Sequence, residues 1–518
     1  MRILLIPLDD RPVTRVLPAM AAAVAGIDVL TPPLALLGTL NRPGDPAALS
    51  GWIEDQTEGL DGTVISIDML AHGGLVNSRR SLDPLDSVLS HLDVIRRVRA
   101  NHPGMPIYGF NILQRISNAD NNQEEKLYWD RYGRAMFRLS QLTDAVDRYH
   151  RSEDERELGD VRARIPADLL DDYLATRRRN HALNLAMIDW AAAGVFDYLA
   201  ITQDDANPLG FPAMEQRALS LRIAELGAYD RVAVYPGADE VATSLIARLA
   251  CSLAGLRPRV WPRYSSVRGP FITANYEDRP LGETVKGQIL AAGGLVADGA
   301  GDADLVLMAN TPAEAQAEAF EGIDYASVQT TGRNLDEFVS AIRDYQDRDV
   351  PVAVVDVAYS NGADPTLLPP LLQTTRALDF LAFAGWNTAG NTIGSALGQA
   401  YLRLLAQRRG VSPREQAAHI ALLLTRYLDD WAYQSVVRSR AGIRELEQTF
   451  GVSYGDLGSE ATAVSAAVRD RLLAIYQDRL EPLTRRSGIN EVEIGPVRFP
   501  WNRLFEIDLP VRVAAPNA

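Results

Sequence analysis

The chain has 518 residues, of which 47% are hydrophobic and 23% are charged, and these proportions exclude the collagen-like, coiled-coil and disordered classes. At roughly 100 to 200 residues per domain, a chain of this length is expected to form two to four domains. Acidic residues outnumber basic residues by 67 to 52, and the net charge of -15 is the wrong sign for binding along nucleic-acid phosphates. The single cysteine, Cys251, excludes an intrachain disulfide and a cysteine-based zinc site.

The N-terminal sequence predicts a buried strand and not a secretion signal, because the mostly apolar residues 1–7 pass directly into an acidic turn. No uninterrupted apolar stretch approaches the roughly 18 residues that a membrane-spanning helix needs. We therefore expect a cytoplasmic protein that has neither nucleic acid nor membrane as a partner.

Short apolar or β-branched runs alternate with amphipathic helical stretches, and this alternation predicts an α/β fold with parallel sheets built from βαβ units. The first set of predicted strands covers residues 3–7, 28–31, 63–67, 106–111 and 198–202. The second set covers residues 231–235, 259–262, 304–309, 352–356 and 378–384. Because similar polar turns follow corresponding strands, we interpret the two sets as two similar Rossmann-like lobes. The same alternation permits a (β/α)8 barrel, which is the alternative architecture.

The predicted domains are a first α/β lobe over residues 1–228, a second over 229–394 and a helical C-terminal region over 395–518. A long polar insertion at 121–194 predicts two or three helices within the first lobe. Helix-period apolar positions predict C-terminal helices at 395–408, 413–440 and 459–483, followed by a terminal β-hairpin from 492–494 and 504–509.

Polar residues are concentrated at the predicted carboxyl ends of the strands, where both open parallel sheets and barrels bind ligands. Asp9, Asp10 and Arg11 follow the first strand. One carboxylate suits a helix cap, whereas the other carboxylate and Arg11 suit contact with a polar substrate. A capped helix start with a surface ion pair would explain the same residues.

The turn after the third strand brings an acid, a histidine and an arginine close together in sequence. Asp68 lies at the predicted strand end, His72 follows four residues later, and Arg79 comes after a glycine pair. Because backbone can approach a ligand closely at glycines, this turn suits the orientation of a polar substrate. His72 suits a general acid or base or a metal ligand, although a structural histidine would also fit. Asn111 ends the neighbouring strand and joins the same predicted edge.

Gln203, Asp204 and Asp205 end the fifth predicted strand and form the strongest catalytic candidate. Two ionised carboxylates beside an apolar sheet are costly unless they are paired or used. The pair could titrate apart, giving one protonated acid and one charged partner, or could ligate a divalent cation. A helix cap would account for only one of the two carboxylates.

The strand ends of the second set carry Asp239, Glu240, Asp356, Trp386, Asn387 and Asn391. Asp239 and Glu240 lie in the first turn of a predicted helix, so capping explains them as well as catalysis does. The Trp386 ring offers an apolar face, and asparagine side chains both donate and accept hydrogen bonds. This set therefore suits a neutral hydroxylated ligand better than a phosphate.

Five motifs in order carry a family resemblance. They are residues 7–12 (PLDDRP), 66–75 (SIDMLAHGGL), 203–205 (QDD), 236–240 (PGADE) and 385–388 (GWNT). Together they resemble a bacterial family catalogued as domain of unknown function 4127, and the resemblance covers most of the chain. The family name implies no activity, substrate or catalytic residue, so the function has to be inferred from the site.

The strand-end carboxylates and the Trp and Asn wall favour a carbohydrate-active hydrolase, most simply a glycosidase that needs no cofactor. Glycosidases use one protonated and one ionised carboxylic acid across the scissile bond. Asp204 or Asp205 would serve as acid, base or nucleophile, opposite Asp68, Asp239 or Glu240. The expected partner is a small carbohydrate substrate, and apolar faces on the C-terminal helices leave a homodimer open.

Two alternatives remain open from the sequence. In the first, carboxylates and His72 hold Mg²⁺ or Mn²⁺ in an isomerase, lyase or hydrolase of a small polyhydroxylated substrate. In the second, the chain is a non-catalytic protein that binds a small polar ligand. The abundance of acids at the strand ends makes the second alternative the less economical one.

Overall fold

The computed structural model describes residues 1–321 and 331–514, which form two large sheets of parallel strand pairs, two small two-stranded sheets and many helices. The larger sheet has six strands and the smaller one has five. This confirms the predicted α/β class with parallel sheets. The barrel alternative is wrong, because the strands divide between separate sheets and do not close on themselves.

The strands are β1 (Arg2–Ile6), β2 (Asp28–Leu30), β3 (Gly62–Ser66), β4 (Ile107–Leu113), β5 (Tyr198–Gln203), β6 (Val232–Pro236), β7 (Arg259–Tyr264), β8 (Leu295–Val296), β9 (Leu305–Asn310), β10 (Ala317–Glu318), β11 (Val352–Asp356), β12 (Tyr359–Ser360), β13 (Ala382–Ala384), β14 (Val492–Ile494) and β15 (Val511–Val513). The interiors of β1, β3, β4, β5, β9, β11 and β13 are mostly apolar and buried, as expected for parallel strands covered on both faces. Every predicted strand of the two sets therefore has an observed counterpart.

The helices before the second sheet are α1 (Pro12–Ala23), α2 (Pro46–Gln56), α3 (Ile67–His72), α4 (Leu75–Arg80), α5 (Leu85–His91), α6 (Asp93–Asn101), α7 (Trp129–Tyr149), α8 (Ser152–Ala163), α9 (Ala167–Ala192), α10 (Phe211–Leu226) and α11 (Val241–Leu253). Those that follow are α12 (Leu281–Ala291), α13 (Leu335–Asp347), α14 (Leu368–Thr374), α15 (Ala389–Arg409), α16 (Pro413–Arg426), α17 (Arg440–Phe450), α18 (Ala461–Ile475) and α19 (Glu481–Arg486). Two π-helical segments, Tyr427–Val437 and Tyr476–Leu480, continue α16 and α18.

The described chain separates into two compact units. Unit 1 comprises Met1–Asp10, Val29–Ala242 and Tyr276–Asp278, and unit 2 comprises Arg11–Asp28, Thr243–Asn275 and the described residues from Arg279 onward. Unit 1 has its main apolar core around the first sheet. Unit 2 has a larger core that joins the second sheet to the C-terminal helices.

The first sheet has the strand order β2-β1-β3-β4-β5-β6. We expected the sixth of these strands to open the second set, and this assignment is wrong. β6 pairs in parallel with β5 from Leu199↔Val232 to Gln203↔Pro236. Sequence alternation marks a strand but carries no information about which sheet the strand joins, which explains the error.

The second sheet has the order β13-β11-β9-β7-β8. When the five strands are numbered in chain order from β7 and the sheet is read from its β8 edge, this order is 2-1-3-4-5. The strands β1 to β5 of the first sheet have the same order. The repeat is therefore real in strand order, but it begins at β7 and its second strand is β8. Because the two residues Leu295–Val296 are too few to produce a strand pattern, β8 was not predicted. The predicted correspondence between the two sets of strands was therefore displaced by one strand.

The insertion at 121–194 contains α7, α8 and α9, which pack through a small core of their own. Trp129 and Tyr173 meet in this core with ring centroids 5.0 Å apart. The charged α8 buries only Val161, as its composition predicts for a solvated helix.

The C-terminal region is mostly helical and ends in a two-stranded antiparallel ribbon. β14 pairs with β15 from Val492↔Val513 to Ile494↔Val511. The prediction for the second arm of the hairpin, residues 504–509, is wrong, because β15 begins at Val511. Leu504, Ile507 and Leu509 instead enter the core of unit 2, which explains their apolar pattern.

Among residues 1–321 and 331–514, no helix combines the length and the apolar character needed to cross a membrane.

Gly73 is the packing constraint on the turn that carries the site. It has a φ of 79°, and a Cβ there would lie 2.6 Å from the backbone N of Gly44. We expect Gly73→Ala to lower the free energy of unfolding by about 2 to 4 kcal/mol, from the left-handed conformation and from overpacking. Urea denaturation measures this change.

Gly59 provides the matched control, because it has a φ of 70° and a Cβ added there would meet no atom within 4 Å. Gly59→Ala should therefore cost only about 1 kcal/mol, from backbone conformation alone. Equal losses in the two variants would contradict the packing argument.

Candidate functional site

The turn after β3 positions two of the predicted site residues through local capping. Oγ of Ser66 accepts a hydrogen bond from the backbone N of Met69 at 3.2 Å, which starts α3 at Ile67. Asp68 therefore lies in the first turn of a helix and not at the end of the strand. The left-handed Gly73 ends α3, and α4 then carries Arg79 back toward the carboxyl edge of the first sheet.

Asp68 is a buried carboxyl group with a perturbed proton affinity. Its side chain is 3% exposed, and Oδ2 accepts a hydrogen bond from the backbone N of Ile112 at 2.8 Å. Burial raises the pKa of Asp68 to about 7, although the Ile112 hydrogen bond and the charge of Arg79 both act to lower it. The negative charge of Asp204 raises the pKa further. Near neutral pH, Asp68 is thus able both to give and to take a proton.

Two ion pairs hold the acidic end of β5. Nη2 of Arg79 lies 2.5 Å from Oδ2 of Asp204. Nη1 of Arg115 lies 2.8 Å from Oδ2 of Asp205. Asp205 has a φ of 38°, a left-handed conformation that asparagine and aspartate tolerate better than most residues. The neighbouring carboxylates thus contact different arginines.

Glu124 and Glu125 bridge the same two arginines. Oε2 of Glu124 lies 3.2 Å from Nη1 of Arg79 and 3.1 Å from Nη2 of Arg115. Oε1 of Glu125 lies 3.5 Å from Nη1 of Arg79 and 3.1 Å from Nε of Arg115. We call this group the two-arginine cluster; its members are Arg79, Arg115, Glu124, Glu125, Asp204 and Asp205. Four carboxylates thus face two guanidinium groups.

The neighbouring carboxylates raise the pKa of both Asp205 and Arg115, which favours the neutral form of the acid and the charged form of the base. Burial raises the pKa of Asp205 to about 6, the charge of Arg115 lowers it, and the charge of Asp204 raises it. Burial by itself would lower the pKa of Arg115, but the surrounding carboxylates outweigh burial and raise it well above its ordinary value. Arg115 therefore stays charged, and one acid of the cluster can be protonated at mildly acidic pH.

Arg115, Glu124 and Glu125 were not among the predicted site residues. Arg115 comes two residues after the end of β4, so the strand-end argument that selected Asp204 would also have found it. Glu124 and Glu125 lie in the polar insertion, where nothing in the sequence distinguishes them from other surface acids.

His72 is buried beside this turn in an unusual state. It is 3% exposed, and neither ring nitrogen has a hydrogen-bond partner among the described residues. Burial lowers the pKa of His72 well below its usual value, and the nearby charges of Arg179 and His91 lower it further. The imidazole is therefore neutral across the physiological range.

The other predicted residues of unit 1 are placed at the same sheet but in separate contacts. Nδ2 of Asn111 donates to Oδ1 of Asn184 at 2.5 Å. Nε2 of Gln203 donates to Oδ2 of Asp278 at 2.9 Å. Oε2 of Glu240 accepts from the backbone N of Ala238 at 2.9 Å, in the turn that precedes α11. Three further residues are buried or half-buried after their strands: Asp9, Asp10 and Asp239.

Predicted residues that lie in unit 2 belong to a different set of contacts. The Arg11 guanidinium lies 4.8 Å from the Trp501 ring centroid and 4.0 Å from Oε1 of Glu506. The Trp386 ring lies 5.7 Å from the Phe505 ring. Two predicted amides follow Trp386: Asn387, with a φ of 81°, and the buried Asn391.

Asp356 lies in a closed hydrogen-bond network at the end of β11. Oδ1 accepts from Nδ2 of Asn310 at 3.0 Å, and Oδ2 accepts from the backbone N of Asp364 at 2.8 Å. Arg333 pairs with Asp364 at 2.6 Å. This network accounts for the burial of Asp356 without requiring a ligand.

Asp429 and Asp430 are a second buried acidic pair, which the sequence analysis missed. Both lie on the π-helix Tyr427–Val437, and Oδ2 of Asp430 accepts from the backbone N of Gly385 at 2.7 Å. Burial raises the pKa of Asp429 to about 7. The sequence does carry a signal for this pair, because two adjacent acids stand inside an otherwise apolar helical stretch.

Within the described part of the chain, no group of three or more His, Cys, Asp or Glu side chains is placed to hold a metal ion.

The raised pKa of Asp68 predicts a pH dependence of stability. Between the ordinary pKa of 3.8 and the folded-state value of about 7, the unfolded chain loses the Asp68 proton while the folded chain keeps it. Stability from this group is therefore present below pH 4 and is lost as the pH rises toward 7, by up to about 4 kcal/mol. Asp68→Asn should remove that loss and so gain stability relative to wild type as the pH rises from 4 to 8.

Urea denaturation of both proteins across this pH range measures the difference. Asp189→Asn, which removes an exposed carboxylate paired with Arg222, is the control for a change of charge. A stability difference between wild type and Asp68→Asn that stays constant with pH would contradict the predicted titration.

Comparison with known proteins gives a family but no activity. No curated protein matches the chain. One family model matches residues 3–510, and its description is protein of unknown function, DUF4127. This match spans nearly the whole chain and agrees with the resemblance carried by the five sequence motifs. The chain is therefore a member of the DUF4127 family.

Proposed function

We propose that this protein is a hydrolase of a carbohydrate substrate, a glycosidase, with its reacting groups at the carboxyl edge of the first sheet. The observation that carries the proposal is the combination of Asp68, whose pKa is raised to about 7, with Asp204, which is ion-paired to Arg79. A carboxyl group that keeps its proton near neutral pH and a second carboxylate are the pair that acid–base hydrolysis requires.

Asp68 is the proposed proton donor. Cleavage of a glycosidic bond breaks the bond between the anomeric carbon and the leaving oxygen, and that oxygen must receive a proton. A carboxylic acid with a pKa near 7 remains protonated at mildly acidic and neutral pH and can supply this proton. A second carboxylate then takes the proton of the attacking water, so that one water molecule is consumed for each bond broken.

Asp204 is the proposed ionised partner. Nη2 of Arg79 contacts its Oδ2, and the same arginine contacts Glu124 and Glu125 through its other terminal nitrogen. Arg79 is thereby held by three acids, which fixes the orientation of the Asp204 carboxylate. Arg115 holds Asp205 in the corresponding way and acts as a positioning residue.

Hydrolysis of chromogenic α- and β-glycosides tests the proposal. We expect wild type to cleave at least one substrate, and Asp68→Asn and Asp204→Asn each to lower kcat/KM by about 100-fold or more. Asp189→Asn, on the exposed face of α9, should leave the rate unchanged. Thermal unfolding of each variant checks that the fold persists.

The pH profile gives a second test of the same assignment. Because the acid form of Asp68 is required, kcat/KM should fall as the pH rises through about 7. Asp205→Asn should retain this alkaline limb even if the rate drops. The absence of hydrolysis on extended oligosaccharides as well as on aryl glycosides would contradict the proposal.

A further inference from the structure

The π-helix Tyr427–Val437 buries two adjacent acids that the proposed hydrolysis does not use. Asp429 is 7% exposed and Asp430 is fully buried, and both belong to unit 2. π-helical turns are rare in proteins and often occur at functional sites, because their looser geometry is costly to retain. The two acids therefore need an explanation of their own.

Asp430 anchors the start of the GWNT motif. Its Oδ2 accepts hydrogen bonds from the backbone N of Gly385 at 2.7 Å and from Nε of Arg426 at 3.0 Å, and its Oδ1 contacts Nη2 of Arg426. Gly385 begins the turn at residues 385–388, which follows β13 and carries Trp386. The position of this turn therefore depends on the position of the Asp430 side chain.

Asp429 has no arginine of its own. Among the described residues, the one hydrogen bond to its side chain comes from Nε2 of Gln434, which lies 3.0 Å from Oδ1. Arg438 acts on Asp429 only through its charge, because its Nη1 and Nη2 donate to Tyr454 and to the O of Asn361. An ionised Asp429 is thus a buried charge without an ion pair, which is costly.

A small cavity lies beside Asp429. Its volume of about 20 Å³ is enough for one water molecule, which can accept the Asp429 proton. Two further acids line the cavity, Glu506 and Asp508, and α1 contributes only apolar side chains. Glu506 lies 3.5 Å from Arg503, and Asp508 lies 3.4 Å from Arg498. The acids across the cavity are therefore ion-paired, whereas Asp429 is not.

These surroundings link the opening of the π-helix to pH. Burial raises the pKa of Asp429 to about 7, the charge of Asp430 raises it further, and the charges of Arg426 and Arg438 lower it. In an open state that admits water, the pKa of Asp429 returns toward 3.8. The open state is therefore favoured about tenfold for each pH unit between 4 and 7, and no further above pH 7.

We propose that Asp429 and Asp430 form a pH-sensitive switch that releases the turn at residues 385–388 when Asp429 loses its proton. At acidic pH the neutral Asp429 leaves Asp430 in place, and Asp430 holds Gly385. Toward neutral pH the ionised Asp429 favours opening of the π-helix, which removes this anchor and frees Trp386. The switch does not rest on the proposed hydrolysis, because it uses only residues of unit 2.

Hydrogen exchange of the full chain, followed by mass spectrometry from pH 5 to pH 8, tests the switch. Protection factors remove the chemical pH dependence of exchange and report the opening equilibrium. In wild type, we expect protection of residues 385–388 and 427–437 to fall about tenfold per pH unit from pH 5 to 7 and then to level off. Asp429→Asn should lack this fall, since its amide does not titrate but can still accept from Gln434.

Asp508→Asn is the matched control. Asp508 lines the same cavity, but it is already paired with Arg498, so this variant should keep the wild-type pH dependence. The strand β9 is the internal reference, because it lies in the same unit and is buried throughout. It should stay more protected than residues 385–388 at every pH, because release of the turn does not require the sheet to unfold.

Four results would overturn the proposal: constant protection of the turn in wild type between pH 5 and 7, the same fall in Asp429→Asn, loss of the fall in Asp508→Asn, or equal protection of the turn and β9. The last result would mean that the turn opens only by unfolding of the whole unit. The first and last results need no variant, so the wild-type measurement tests the switch even if Asp429→Asn does not fold.

Discussion

Burial of acidic side chains at the edge of the first sheet is the constraint on which the candidate site depends. Removing carboxylates from water is costly, and the chain compensates with Arg79 and Arg115, each of which contacts three acids. Asp68 forms no ion pair at hydrogen-bond distance with any described residue. Burial instead raises its pKa to about 7, so that the carboxyl group is neutral below that pH. Asp68 and Asp204, two residues of one type, thus lie in different environments, the first without an ion pair and the second paired with Arg79.

The two sheets share a strand order over five strands but differ in the polar contacts at their carboxyl strand ends. Both place polar side chains at carboxyl strand ends, as open α/β folds do. In the first sheet the acids of the two-arginine cluster outnumber its arginines, and burial raises the pKa of Asp205 to about 6 and that of Asp68 to about 7. In the second, burial likewise raises the pKa of Asp356 to about 7, but both of its oxygens accept hydrogen bonds from the protein, and Arg333 is paired with Asp364. The proposed hydrolysis is therefore placed at the first edge.

The features that could be predicted from the sequence are those that local patterns determine. Apolar runs located the strands, and the strand-end argument selected Asp68, Asp204 and Asp205 because each follows a buried run. Sheet membership depends on long-range pairing, so β6 was assigned to the wrong set. Glu124 joins the site only through folding of the insertion, and no local pattern distinguishes it.

The most direct test of this account is the titration of the Asp68 carboxyl group, followed as the infrared difference between wild type and Asp68→Asn over a range of pH. The account predicts a carboxyl band that converts to carboxylate with a midpoint at a pH of about 7. A midpoint near pH 4, the ordinary range for aspartate, would show that Asp68 is ionised at neutral pH and would contradict its role as proton donor.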